Sequence, residues 1–134
     1  MLKLTILSPE KKTADQVDVQ SVTLPGTEGQ IQVLPEHAEM VGILETGPFS
    51  YVPVSGEPLH GVISHGFFEV VGDVVTVMAE TCELANEIDA NRAKIAQKKA
   101  ENALLDPELD QKHFKKYELK LERAIIRQQV AAQN

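Results

Sequence analysis

Val74-Val75-Thr76-Val77-Met78-Ala79-Glu80-Thr81-Cys82-Glu83-Leu84-Ala85-Asn86-Glu87-Ile88-Asp89-Ala90-Asn91-Arg92-Ala93 contains the change of period that decides the fold. Its first five residues form a short Val-rich run of the kind that makes strands. From Glu87 the repeat lengthens. Ile88, Ile95, Ala96, Ala103 and Leu104 fall on one helical stripe, with Arg92, Lys94, Lys98, Lys99 and Glu101 elsewhere. Composition breaks at the same place. All eight glycines and six of the seven prolines precede residue 85, whereas nine alanines lie at or beyond it. Residues 1–84 carry three basic and 12 acidic side chains, a net of −9, and residues 85–134 carry ten and eight, a net of +2. The chain therefore reads as α+β, with an all-β sandwich over residues 1–84 followed by an antiparallel two-helix hairpin over residues 85–134.

Upstream of that junction, short apolar runs alternate with turn chemistry. Leu2-Leu4-Ile6 stops at Ser8-Pro9, and Val17, Val19, Ser21, Thr23 and Leu24 run to Pro25-Gly26. Ile31 and Val33 precede Pro35. Val41-Ile43, Tyr51-Val52-Val54, Val62-Ile63 and Phe67-Phe68-Val70-Val71 follow, punctuated at Gly47-Pro48, Gly56, Gly61, Gly66 and Gly72-Asp73. Strands this short and this closely spaced predict a sandwich or barrel. Val71-Gly72-Asp73-Val74 predicts a tight hairpin, because glycine supplies the positive φ such turns require. With aromatics at 4%, the core has to be built largely from Val, Ile and Leu.

Downstream, Asn86 suits a helix N-cap, and Asp89 supports the first turn through the helix dipole. Asp106-Pro107-Glu108 stops the first helix and starts the second, with Asp106 as its cap. Phe114, Tyr117, Leu121 and Ile125 then recur at helical spacing. A first-helix stripe of alanine and isoleucine buries little area at about 25 cal/mol per Å². Such a hairpin is held weakly and can leave its docking site.

Chemistry is sparse. The net charge of −7 argues against general nucleic-acid binding. No apolar run approaches the roughly 20 residues of a membrane span, and Met1-Leu2-Lys3-Leu4-Thr5 alternates like a strand rather than opening a signal peptide. The single cysteine, Cys82, removes intrachain disulfides and points to a soluble protein of a reducing compartment, with the thiol as a small apolar filler. His37, His60, His65 and His113 show no zinc-motif spacing. Gly26-x-x-Gly29 is a turn rather than a phosphate loop. The reading is of no catalytic residue, no metal site and no required cofactor.

One constellation stands out. Leu24-Pro25-Gly26-Thr27-Glu28-Gly29-Gln30-Ile31-Gln32-Val33-Leu34-Pro35-Glu36-His37-Ala38 closely resembles the signature of the epsilon subunit of F-type ATP synthases. Leu44-Glu45-Thr46-Gly47, Gly66-Phe67-Phe68-Glu69-Val70, Ile88-Asp89-x-x-Arg92-Ala93 and Leu121-Glu122-Arg123-Ala124 continue the resemblance in order along the whole chain.

The resemblance implies a non-catalytic subunit of the rotating central stalk of a proton-translocating ATP synthase. It implies a sandwich set against the gamma subunit and the c-ring. It also implies a hairpin that either folds onto the sandwich or extends to the alpha/beta hexamer and inhibits ATP hydrolysis. Contact with gamma or the c-ring would fall on Gln30, Ile31, Gln32, Glu36 and His37, with His37 also bonding local backbone. A regulatory ATP would meet Ile88, Asp89, Arg92 and Ala93, with Arg123, Arg127 and Lys99 supplying phosphate charge. Lys115, Lys116, Arg123 and Arg127 would serve the inhibitory helix. The implied setting is the cytoplasmic face of a bacterial plasma membrane, peripheral through the complex, with a thylakoid setting as the other possibility. The competing class is a free-standing ATP-sensing module.

Overall fold

The computed structural model describes residues 1–132. Seven strands come first: β1 (Leu2–Leu7), β2 (Lys12–Gly26), β3 (Gly29–Val33), β4 (Met40–Leu44), β5 (Gly47–Pro53), β6 (Leu59–Val71) and β7 (Val74–Leu84). A single 3₁₀ turn, Ala85–Glu87, leads into α1 (Ala90–Leu104) and α2 (Gln111–Ala131). The β-sandwich followed by two helices is the architecture expected from the change of period.

Strand pairing explains why so few residues make a closed body. β6 pairs antiparallel with β7 along nearly its whole length. On its other side it pairs first with β5 and then with β4. Leu44 lies opposite Gly66 and Gly47 opposite Ile63, so β4 and β5 share one register across the break at Glu45-Thr46. β5 pairs with β2, β2 with β1, and β1 runs parallel to β7. Hydrogen bonding thus continues right round the flattened sandwich, with β3 appended to β2 and β4 joined to β2 only at Gly26 opposite Leu44. Leu4, Ile6, Val22, Leu24, Ile63, Phe68, Val70, Val75 and Val77 fill the core, with Phe49 stacked on Tyr51.

Several element boundaries differ from the sequence expectation. Gly61 and Gly66 lie inside β6 rather than in turns. At Gly61 a β-carbon would overlap the Glu83 carbonyl and the Phe49 ring, and at Gly66 the Met78 carbonyl. Both glycines are there to let a neighbouring strand approach closely, a role short-range patterning does not separate from a turn. The expected turn at Gly72-Asp73 does form, with φ of +55° and +62° joining Val71 to Val74.

The helix caps also shift, by three residues for α1 and four for α2. Asn86 sits within the 3₁₀ turn, and the N-cap of α1 is Asp89, whose carboxylate accepts from Arg92 N–H at 3.1 Å. Asp106 accepts instead from Glu108 N–H, and α2 is capped by Asp110 through His113 N–H at 2.8 Å. Asp106 thus forms a local turn that ends α1, and the chain needs Leu109-Asp110 before it can restart. The buried stripe of α1 is Ala93 and Ala100, while Ile95 is 60% exposed. On α2 the buried positions are Ala124 and Val130, and Phe114 is exposed. The helices meet on alanines, which permits close approach but removes little apolar surface from water.

Candidate functional site

Alternation along a strand sends neighbouring side chains to opposite faces, so an outward face rich in apolar residues is informative. On the outer face of β4, β6 and β7 the register aligns Ile43 with Phe67 and Phe67 with Met78. Leu7 of β1 lies opposite Met78. Ile43 is 66% exposed and Val41 71%, with Phe67 and Met78 also exposed. A cavity of about 660 Å³ opens beside them, lined by Leu7, Pro9, Phe67, Met78 and Ala79 and by the β1–β2 turn. Sequence reasoning assigned these residues to strands without marking them as a surface. The available signal was Phe67-Phe68, which makes both faces of one strand apolar, and Val41-x-Ile43, which puts two apolar residues on one face, with Leu44 behind them on the other.

The expected partner segment, Gln30–Ala38, is split by the pleat. Gln30 and Gln32 are exposed on β3, whereas Ile31 between them packs on the core. After β3 the chain turns through Leu34–His37, where His37 N–H donates to the Leu34 carbonyl at 3.1 Å. His37 Nδ1 lies 2.8 Å from the Ala38 carbonyl, the local backbone bond anticipated for it. Glu36 is exposed and its N–H donates to Asp73 Oδ1 at 2.8 Å.

Hairpin and sandwich meet at a small seam. Val62, Ala85 and Val130 are buried there, with Ile88 and Ile126 packed against them. Arg127 of α2 pairs with Glu83 at the end of β7, where Nη2 donates to Oε2 at 3.0 Å and Nε lies 3.0 Å from Oε1 without hydrogen-bond geometry. On the other side of the 3₁₀ turn, Lys11 from the β1–β2 turn pairs with Glu87, which also accepts from Leu84 N–H at 3.0 Å. Two carboxylates four residues apart are therefore held by cations from opposite directions. The Lys11 bond holds the Glu87 carboxyl below its ordinary value of 4.5. Its contribution is therefore present above that value and lost as pH falls through the lowered one. Burial pushes the Cys82 thiol up, so it stays protonated as apolar filler.

Between the helices lies a cleft of about 540 Å³ with a floor of Ala96, Ala100, Ala103 and Ala124. Lys99 from α1 and Lys120, Arg123 and Arg127 from α2 line it, together with Tyr117, whose ring lies 5.5 Å from Lys120 Nζ. Cations from both helices around a small-residue floor suit a phosphate-bearing anion. The nucleotide residues expected from the sequence divide here. Arg123, Arg127 and Lys99 line the cleft. Ile88 packs at the seam, Asp89 is an N-cap, Arg92 is exposed, and Ala93 is fully buried. Lys115 and Lys116 are exposed on the first half of α2. Among the described residues, no group of three or more His, Cys, Asp or Glu is placed to hold a metal ion, and no helix is long and apolar enough to cross a membrane.

Fold and surfaces together define a β body with an apolar outer face and a cationic helical hairpin held on it by few contacts. Residues 1–85 match the beta-sandwich domain of the ATP synthase delta/epsilon chain, and residues 86–132 match its long alpha-helix domain. The ATP synthase epsilon chain of Geotalea uraniireducens is 43% identical over 98% of this chain and 94% of its own length. That of Herpetosiphon aurantiacus is 35% identical over 97% and 93%. Among solved structures, a chain of the Euglena gracilis mitochondrial ATP synthase, from its OSCP/F1/c-ring in rotational state 1, superposes with a TM-score of 0.85 at 25% identity, covering 99% of this chain and 81% of that one. A chain of the Tetrahymena thermophila mitochondrial ATP synthase central stalk and c-ring shares the fold at a TM-score of 0.64 and 11% identity, covering 97% and 96%. The chain belongs to the family of ATP synthase epsilon chains.

The seam geometry predicts that Glu83→Gln and Arg127→Gln each loosen the hairpin. Amide exchange over Arg123–Val130 should accelerate in either variant and little further in the double variant, with a coupling of about 1 kcal/mol that shrinks as salt rises. Fully additive effects would show that the pair contributes nothing.

Proposed function

We propose that the chain is the central-stalk epsilon subunit of a bacterial F-type ATP synthase. In this reading it is non-catalytic, couples gamma to the c-ring, and restrains ATP hydrolysis when its hairpin extends to the alpha/beta hexamer. It works at the cytoplasmic face of the plasma membrane, peripheral through the complex. The observation that carries the reading is the exposed rung Ile43–Phe67–Met78 with Val41 beside it, an apolar face on which a partner chain would be seated. We assign gamma to that face and the c-ring to the Gln30–Ala38 end. A free-standing ATP sensor would have no use for the apolar face.

In this reading α2 is divided. Lys115 and Lys116 are exposed and free to pair with acidic surface on the hexamer, whereas Arg127 is engaged by Glu83 in the folded hairpin. ATP acts as a regulatory ligand whose phosphates meet Lys99 and Arg123 across the interhelical cleft, together with the guanidinium nitrogen of Arg127 that Glu83 leaves free, so that binding favours the folded hairpin.

Three outcomes test this. Ile43→Lys with Phe67→Glu, which places opposite charges across one rung, should abolish co-purification with gamma while costing about 1 kcal/mol or less, since both side chains are largely exposed. Retention of gamma by a folded double variant would sink the assignment of the face. In the assembled ATPase, Lys115→Gln with Lys116→Gln should relieve inhibition, whereas Arg127→Gln should deepen it by releasing the hairpin. Equal signs for the two would refute the division of α2. Titration with millimolar ATP should shift the amides of Ala96–Ala103 and Tyr117–Ala124, and unmoved resonances would remove ATP from the scheme.

A further inference from the structure

The turn that joins β6 to β7 carries more than its two strands. Gly72 and Asp73 occupy both left-handed positions of a two-residue hairpin, a conformation that any β-carbon disfavours and that glycine or asparagine meets more easily. Aspartate at the second position offers acceptors in return. The Asp73 carbonyl takes Lys3 N–H at 2.9 Å and so pins the start of β1, and its Oδ1 takes Glu36 N–H at 2.8 Å. Glu36 is itself left-handed at φ +67°, a second position where a β-carbon is disfavoured. The two residues lie 37 positions apart, so the bond is tertiary.

We propose that Asp73 is a positioning residue for the docking loop, holding Leu34–Ala38 in its bound shape through the Glu36 backbone. The bond ties this loop to a turn flanked by Val71 and Val74, and Leu34, Val71 and Val74 are all exposed. One end of the sandwich is thereby a preformed surface rather than two independent loops. A loop already ordered loses less conformational freedom on docking and binds more tightly for the same contacts. The role rests on the reading that the Gln30–Ala38 segment meets the c-ring or gamma.

Asp73→Gly and Asp73→Asn in the full chain separate the carboxylate from the turn. Both tolerate positive φ and keep the carbonyl for Lys3, but only asparagine keeps an oxygen for Glu36. Two quantities are read, amide exchange at Glu36 and affinity for a purified gamma–c-ring subcomplex. Asp73→Gly should speed Glu36 exchange by about tenfold, as loss of one protecting bond does, and weaken binding severalfold, while Asp73→Asn stays near the parent in both. A loop variant, Leu34→Ser with His37→Ala, is measured alongside. If the loop variant loses binding and Asp73→Gly does not, the positioning role is overturned and the docking reading stands. If neither loses binding, the docking reading fails and the role fails with it. Unchanged Glu36 exchange in Asp73→Gly overturns the role whatever the affinities.

Discussion

The continuous pairing of β6 is the constraint on which the rest of the structure depends. This strand is bonded to β7 on one side and to β5 and then β4 on the other, and it runs from the hairpin seam at Val62 to the β6–β7 turn at Val71. The closeness of its neighbours leaves no room for a side chain at Gly61 or Gly66. Closure of the sandwich through the parallel β1–β7 pair follows from the same strand order, and it removes one of the exposed edges that would invite pairing with other chains. Because β6 alternates Phe68 and Val70 inward with Phe67 and Val71 outward, one strand supplies both core and surface.

Much of this was legible in the sequence, because period and composition change together near Ala85. The Gly72-Asp73 hairpin was legible because glycine beside aspartate between two valine-rich runs is turn chemistry, and Cys82 because a lone thiol near a strand end has little to do but fill space. What stayed hidden was tertiary. Gly61 and Gly66 read as turns because a glycine required by a neighbouring backbone looks the same in one dimension as a glycine required by its own φ. The caps were misplaced because Asn86, Asp89, Asp106 and Asp110 are all chemically able to cap, and only the path of the chain chooses between them. The residues expected at the candidate site divide in the structure. Arg123, Arg127 and Lys99 converge on the cleft, while Ala93 is buried and Arg92 lies outside it. The apolar face was missed because each of its members also reads as an ordinary strand residue.

Electrostatics at the junction have a simple logic. The β body is acidic and the hairpin basic, so attraction brings them together without demanding a large apolar seam. Of the formal charges, only Arg127 and Glu83 form an ion pair between α2 and the sandwich among the described residues, and they do so with both guanidinium and carboxylate less than a third exposed. Its single hydrogen bond, from Nη2 to Oε2, adds direction to the charge attraction between α2 and the end of β7. Lys11 and Glu87 act differently. They tie the 3₁₀ turn to the β1–β2 turn, and neither partner belongs to a helix, so the pair can persist wherever the hairpin goes.

That difference separates a fixed pivot from a releasable contact. The pivot comprises Ala85–Glu87, anchored to the sandwich by Lys11 and by the buried Ala85. The releasable part comprises Arg127, Ile126 and Val130, whose burial is small beside that of the β core. Burying a valine contributes about 1.5–3 kcal/mol, and an incompletely buried ion pair adds about 1 kcal/mol or less. A total of that order is comparable to what a modest new set of contacts on another protein would return. The sandwich, by contrast, buries Phe49, Phe68 and more than ten aliphatic side chains and would not open for such a return. Buried area is therefore concentrated in the sandwich, and any separation of the two parts would begin at the hairpin seam.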